Sequence, residues 1–96
     1  MVLGLLTLEL RIDQAHSLKE KRSVLNRIRD TVRAKFNVSI AEVDAQDVWN
    51  AAVLGVAVVS NDQRYCNQVL SKVVDWVESL RTCEIEDYAT EFLRTD

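Results

Sequence analysis

The stretch "HSLKEKRSVLNRIRDTVRAKF", His16 to Phe36, gathers Lys19, Lys21, Arg22, Arg27, Arg29, Arg33 and Lys35 against only Glu20 and Asp30. Seven of the twelve basic residues thus fall in one short span of a 96-residue chain whose net charge is −3. The span from 19 to 35 carries +5 and the remainder −8, so charge is segregated along the chain. The chemistry such a cluster can do is to hold anions, phosphates above all.

The residues around the cluster predict the element that carries it. Ser17 followed by Glu20 is a capping box: the Ser hydroxyl can accept the Glu20 amide proton while the Glu carboxylate returns to the N–H of the cap. A helix should therefore start at Ser17. Leu18, Leu25, Ile28, Val32 and Phe36 recur at helical spacing and form one stripe for a core. With Leu18 as origin, Arg29, Arg22, Arg33 and Lys19 fall at roughly 20°, 40°, 60° and 100°, a ridge along one flank of that stripe. Lys19, Lys21 and Arg22 crowd the first turns, where the helix dipole is positive and each cation costs on the order of 0.3 to 1 kcal/mol. Local stability does not explain them; an external anion would, since free N–H groups at the helix start together with Lys and Arg make a phosphate-binding corner. The competing reading is a solvated face whose charges pair with acids of the same molecule. Lys21 is separate again: at about 300° it lies inside the apolar stripe, so it either snorkels to the helix end or is buried against a carboxylate or an anion.

The remaining elements follow from pattern. "VLGLLTLELRI" alternates from Leu6 through Leu8, Leu10 and Ile12, a strand. "NVSIAEVDA" and "WNAAVLGVAVVSN" are two β-rich runs around the polar "QDV", an antiparallel pair with a medium loop. Asp62 can cap a second helix that buries Cys66, Val69, Val73, Val77 and Leu80, with Tyr65, Leu70 and Trp76 on its margins. "CEIEDYATEF" supplies a last strand. The order βαββαβ predicts a single α+β domain over 1–96 of the ferredoxin-like kind, with two helices packed on one face of a four-stranded antiparallel sheet.

In that fold the first and third strands are central, and their faces away from the helices should present Leu3, Leu5, Thr7, Trp49, Ala51, Val53, Gly55 and Ala57. So apolar an open face invites a partner or self-association, with Leu3, Leu5, Trp49, Ala51 and Val53 as candidate interface residues. The central strands lack the aromatic platforms of a base-reading sheet.

Other groups read as less informative. His16 sits between strand and helix with no nucleophile designated beside it, though next to Lys19 it could help hold phosphate. Cys66 and Cys83 are too few and too far apart for a disulfide framework or a zinc site, and no metal or cofactor is expected. Glu84, Glu86, Asp87 and Glu91 alternate along an edge strand, where acids keep the edge unpaired. The longest apolar run, Ala51 to Val59, falls far short of the roughly 20 residues a membrane helix needs. With no basic flank or cleavage site at the start either, no membrane contact and a cytoplasmic setting are expected.

"HSLKEKRSVLNRI", followed by "NVSIAEVDAQDVWNAAVLGVAVVSND", resembles the YlxP-like family of small bacterial proteins, and the resemblance covers nearly the whole chain. It implies a ferredoxin-like fold and a cytoplasmic protein. The company of translation and ribosome-maturation genes, among them that of ribosome-binding factor A, implies an RNA or ribosome partner. No catalytic residue is assigned in the family. The fold is also similar to that of acylphosphatases, but the glycine-rich loop and Arg of those enzymes are missing between Ile12 and Ser17. The leading expectation is a noncatalytic module that binds structured RNA or the ribosome, not DNA, through His16, Ser17, Lys19, Lys21, Arg22, Arg29 and Arg33. The alternative is a homodimeric or heteromeric scaffold joined through the open sheet face, and a phosphate-ester enzyme using His16 and Lys21 stands a distant third.

Overall fold

The computed structural model describes residues 1–95. Its elements run β1 (Val2–Arg11), α1 (Leu18–Lys35), β2 (Ser39–Asp44), β3 (Ala51–Ser60), α2 (Gln63–Leu80) and β4 (Glu84–Arg94). The strands form one antiparallel sheet in the order β2-β3-β1-β4, so β1 and β3 are central, as the ferredoxin-like order requires.

Alternation decides which residues meet the helices. Val2, Leu6, Leu8 and Leu10 of β1 and Ala52, Leu54, Val56 and Val58 of β3 are buried on the helix side. Leu3, Leu5, Ala51, Val53, Gly55 and Ala57 stand half-buried on the opposite face, and Thr7 is exposed there. The register Leu5↔Ala57, Thr7↔Gly55 and Glu9↔Val53 runs unbroken between the central strands, so no bulge reverses that assignment. Leu25, Ile28 and Val32 of α1 and Cys66, Leu70, Val73, Val74 and Val77 of α2 close the core from above. Leu70 is thus wholly buried where the sequence placed it on a margin, and Val74 joins it. The reason is position: α2 lies over the middle of the sheet and packs on β1, β3 and β4, so a wider arc of it is covered. Gly4 lets it come close, since a Cβ there would stand 3.1 Å from Cys66 Cβ and from Val58 Cγ1.

Both helices begin where capping chemistry says. The Ser17 hydroxyl accepts the Glu20 N–H at 3.1 Å, and the Asp62 carboxylate accepts the Arg64 N–H at 2.9 Å. The returning arm of the first box lands one residue early: the Glu20 carboxylate takes the N–H of His16, at 2.6 Å, and not that of Ser17. At its far end α1 stops at Phe36, whose extended backbone leads into β2, and α2 stops at Arg81 in a left-handed turn.

Candidate functional site

α1 lies over the β2 side of the sheet, and its buried stripe contains one cation. Lys21 is 1% exposed, as deeply buried as the leucines around it. Its ammonium donates to the carbonyls of Ala45 at 2.8 Å, Ala51 at 3.1 Å and Gln46 at 3.4 Å, which uses its three protons. Glu42 Oε2 stands 2.9 Å away and neutralises the ammonium as a charge. A buried ammonium without these partners would cost several kcal/mol, and the full set removes that cost.

The arrangement has local causes. β2 carries an irregularity between Glu42 and Asp44, where Val43 is the unpaired residue. Ile40 and Glu42 point toward the helices, and the chain then turns through Ala45 in the left-handed region, φ 61°. That turn aims the Ala45 and Gln46 carbonyls inward under α1. The loop from Ala45 to Asn50 also docks on the β1–α1 connection, with Ile12 N–H donating to Asn50 O at 2.8 Å and the His16 and Trp49 rings 6.2 Å apart.

Two sequence readings are corrected here. Lys21 belongs to the expected anion-binding surface, with snorkelling as the simplest course and burial against a carboxylate or anion as the alternative; the structure takes the carboxylate alternative, with Glu42 as the partner and the loop folded over it, so Lys21 offers nothing to an external anion. Trp49 was expected on the open sheet face; β3 begins only at Ala51, and the bonds that draw Ala51 O to Lys21 and Asn50 O to Ile12 carry Trp49 to the helix side, against His16. Glu42 was missed altogether. Its signal was present, since alternation from Ile40 puts Glu42 on the core face and Lys21 is the cation inside the α1 stripe.

The rest of the basic span stays on the surface. Lys19, Arg22, Arg27 and Arg33 are exposed and Arg29 is half-buried. Arg33 donates to the Ile40 carbonyl of the outermost strand at 3.1 Å, and Arg29 donates to the Asn26 side chain. Neither partner carries charge. Among the described residues, ion pairs form at Arg11 with Asp13 and Glu84 and at Lys21 with Glu42, so Lys21 alone in α1 is neutralised by an acid of its own chain. Arg22, Arg29 and Arg33 stand on the flank toward β2, with Lys19 at the start of the helix. The start itself holds exposed His16 and Ser17, where the Glu20 carboxylate already faces the His16 N–H. The Arg11 guanidinium, by contrast, is held above its ordinary pKa first by its hydrogen bond to Asp13 and then by the charges of Asp13 and Glu84.

The opposite face of the sheet has a different character. Leu5, Thr7, Ala41, Val43, Gly55, Ala57 and Glu91 line a trough of about 350 Å³ there. The register places Glu9, Asp87 and Glu91 on the same face, so the trough is aliphatic with an acidic border. Val43 lies directly over Gly55, where a Cβ would come within 3.0 Å of Val43 Cγ1. Among the described residues no cluster of His, Cys, Asp and Glu is arranged to hold a metal ion, and no helix is long and apolar enough to cross a membrane.

A four-stranded antiparallel sheet in the order β2-β3-β1-β4 with both helices on one side defines a ferredoxin-like α+β domain. Solved structures agree on the fold. A de novo designed protein with a ferredoxin fold superposes with a TM-score of 0.56 at 14% identity, covering 100% of this chain and 88% of the other. A variant of SnoaB, a cofactor-independent oxygenase from Streptomyces nogalater, gives 0.51 at 11% identity, covering 98% and 92%. The chain belongs to the family described as protein of unknown function DUF503, whose pattern matches residues 3–90. It is 38% identical over 91 residues to the uncharacterized protein YlxP of Bacillus subtilis strain 168, a match covering 95% of this chain and 99% of that one.

Proposed function

We propose that this chain is a noncatalytic cytoplasmic module that binds structured RNA or a ribosomal surface through the basic flank of α1. The observation that carries the reading is the lack of acidic partners for Lys19, Arg22, Arg29 and Arg33 among the described residues, in a chain with an excess of acids. Glu20 and Asp30 of α1 itself and Asp44 and Asp47 beside the β2–β3 turn form no ion pair with these four side chains. A row of uncompensated cations about three turns of helix long matches the repeating charge of a phosphate backbone. Lys21 plays no direct part; it holds the β2–β3 loop under the helix that presents the row.

The test is the salt dependence of binding to an RNA hairpin of ribosomal sequence. With about four phosphates engaged, log K against log salt should fall with a slope near −3 to −4. A flat response, or binding unchanged when Arg22, Arg29 and Arg33 are all replaced by Glu, would count against the reading.

A second reading rests on the sheet trough. Its aliphatic lining and acidic border suit a protein partner, another copy of the chain included, and leave the basic flank as solvated surface. Light scattering separates the two: a salt-resistant dimer dissolved by Val53→Lys favours the sheet, and a monomer at high concentration removes the homodimer.

A further inference from the structure

The flank of α1 that faces α2 carries a feature unlike either surface described so far. Two adjoining hollows, about 300 and 270 Å³, share Lys35, Phe36 and Lys72 and together form one groove along the helix pair. Phe36, Tyr65 and Trp76 line it, three of the six aromatic residues in the chain. Tyr65 is 51% exposed. Trp76 is fixed in orientation, because its indole N–H donates to Thr31 Oγ1 at 3.3 Å across the helix interface. The Lys35 ammonium stands 4.5 Å from the centroid of the Trp76 ring and covers that face of the indole, so a base stacking there must displace it toward the adjoining phosphate. Two lysines and one acid, Asp75, supply the charge of the groove.

From this we infer that the groove between α1 and α2 is a subsite for unpaired nucleotides, which stacks a base against Trp76 or Tyr65 while Lys35 and Lys72 hold the adjoining phosphates. The inference rests on the RNA-binding reading and adds a single-stranded site to it. Aromatic faces with cations beside them are what sequence-tolerant binding of single strands requires, since every base offers a π-face and every linkage a charge. The sheet trough lacks both features, being aliphatic with an acidic border, and the Arg flank lacks aromatic rings. An α-helix with its side chains is about 10 to 12 Å across. A strand leaving a duplex held on the Arg flank therefore has only the width of α1 to cross before it reaches the groove.

Replacing Trp49 by Phe leaves Trp76 as the sole tryptophan and a direct reporter of stacking. Titration with hexaadenylate should quench its emission in a saturable way. Tyr65→Ala, at an exposed position that does not endanger folding, should weaken that binding about fivefold or more if the ring stacks a base. Lys72→Glu should weaken it and lower its salt slope by about one phosphate contact. A hairpin with an unpaired tail should bind more tightly than the blunt hairpin in wild type and equally in Tyr65→Ala/Lys72→Glu. Unaltered Trp76 emission together with unaltered tail affinity in Tyr65→Ala, with blunt-hairpin binding still sensitive to the Arg flank, overturns the groove and leaves the RNA reading standing. Loss of both signals overturns the two together. Equal affinity for tailed and blunt hairpins in wild type also overturns the groove.

Discussion

The ammonium of Lys21 lies 2.9 Å from the carboxylate of Glu42 in the interior of the α1–β2 layer, with Lys21 1% and Glu42 18% exposed at the side chain. The pair joins a helix to an edge strand, and three carbonyls of the following loop and strand complete the cage. Lys21→Met removes the cation, strands the carboxylate and takes a donor from each of those carbonyls, of which Ala45 O keeps the Val48 N–H at 3.1 Å. It should cost about 3 to 5 kcal/mol in urea unfolding, the range for breaking a buried pair from one side. Lys21→Met combined with Glu42→Leu should recover part of the loss, since the stranded charge is gone while the lysine's hydrogen bonds to the carbonyls are still missing. Hydrogen exchange should quicken first in residues 45–50, which the cage anchors.

Gly4 and Gly55 sit on opposite faces of neighbouring strands and should respond differently to one added carbon. At Gly4 the new Cβ would meet Cys66 Cβ and Val58 Cγ1 at 3.1 Å and Leu70 Cδ1 at 3.2 Å, all within the packed core. Gly4→Ala must push α2 off the sheet and should destabilise by about 1 to 3 kcal/mol. At Gly55 the obstacle at 3.0 Å is Val43 Cγ1, and Val43 is 55% exposed at an irregularity of the edge strand. It can swing outward, so Gly55→Ala should cost under about 1 kcal/mol. Paired thermal melts check the ordering.

Cys83, half-buried just before β4, has its thiol pKa pushed up by burial. The folded chain therefore holds that proton to higher pH than the unfolded chain does. Stability is unaffected by this group below the ordinary thiol value and falls as pH rises above it, where the unfolded thiol ionises first. Alkylation by iodoacetamide at mildly alkaline pH should be slower at Cys83 than in the urea-unfolded chain, and slower still at Cys66, which is fully buried. Cys83→Ser should flatten the alkaline decline in a pH series of urea midpoints.

Much of this architecture is legible in the sequence. Alternation in β1 and β3, the Ser17 and Asp62 caps and the apolar stripe of α1 are local signals with a fixed period, and they carried the element order and the sheet register. Trp49 is misplaced by pattern alone, and the partner of Lys21 is not found by it, because both depend on contacts between elements far apart in sequence. Lys21 is buried by a loop more than twenty residues away, and the irregularity at Val43 that lets the loop fold inward has no composition of its own. The aromatic groove was hidden for the same reason: Phe36, Tyr65 and Trp76 belong to two helices, and only their crossing brings the rings together.

Arg22 and Lys21 are neighbours in sequence with opposite roles, and that contrast gives the sharpest test of the basic flank. Arg22 is exposed and makes no ion pair with the described residues, so Arg22→Gln should leave the urea midpoint within about 0.5 kcal/mol of wild type. The same change should lower the salt slope of RNA binding by about 0.9, the share of one phosphate contact. Lys21→Met should do the reverse. Measured well below its melting temperature, that variant should keep the wild-type slope, because its ammonium faces loop carbonyls and never an external phosphate. If instead Arg22→Gln leaves the slope unchanged, positive charge on this flank is not what contacts RNA. If Lys21→Met alone lowers the slope in the folded protein, the flank is displaced when the loop loses its anchor, and the distance over which the cage acts can be read from which further Arg replacements no longer matter.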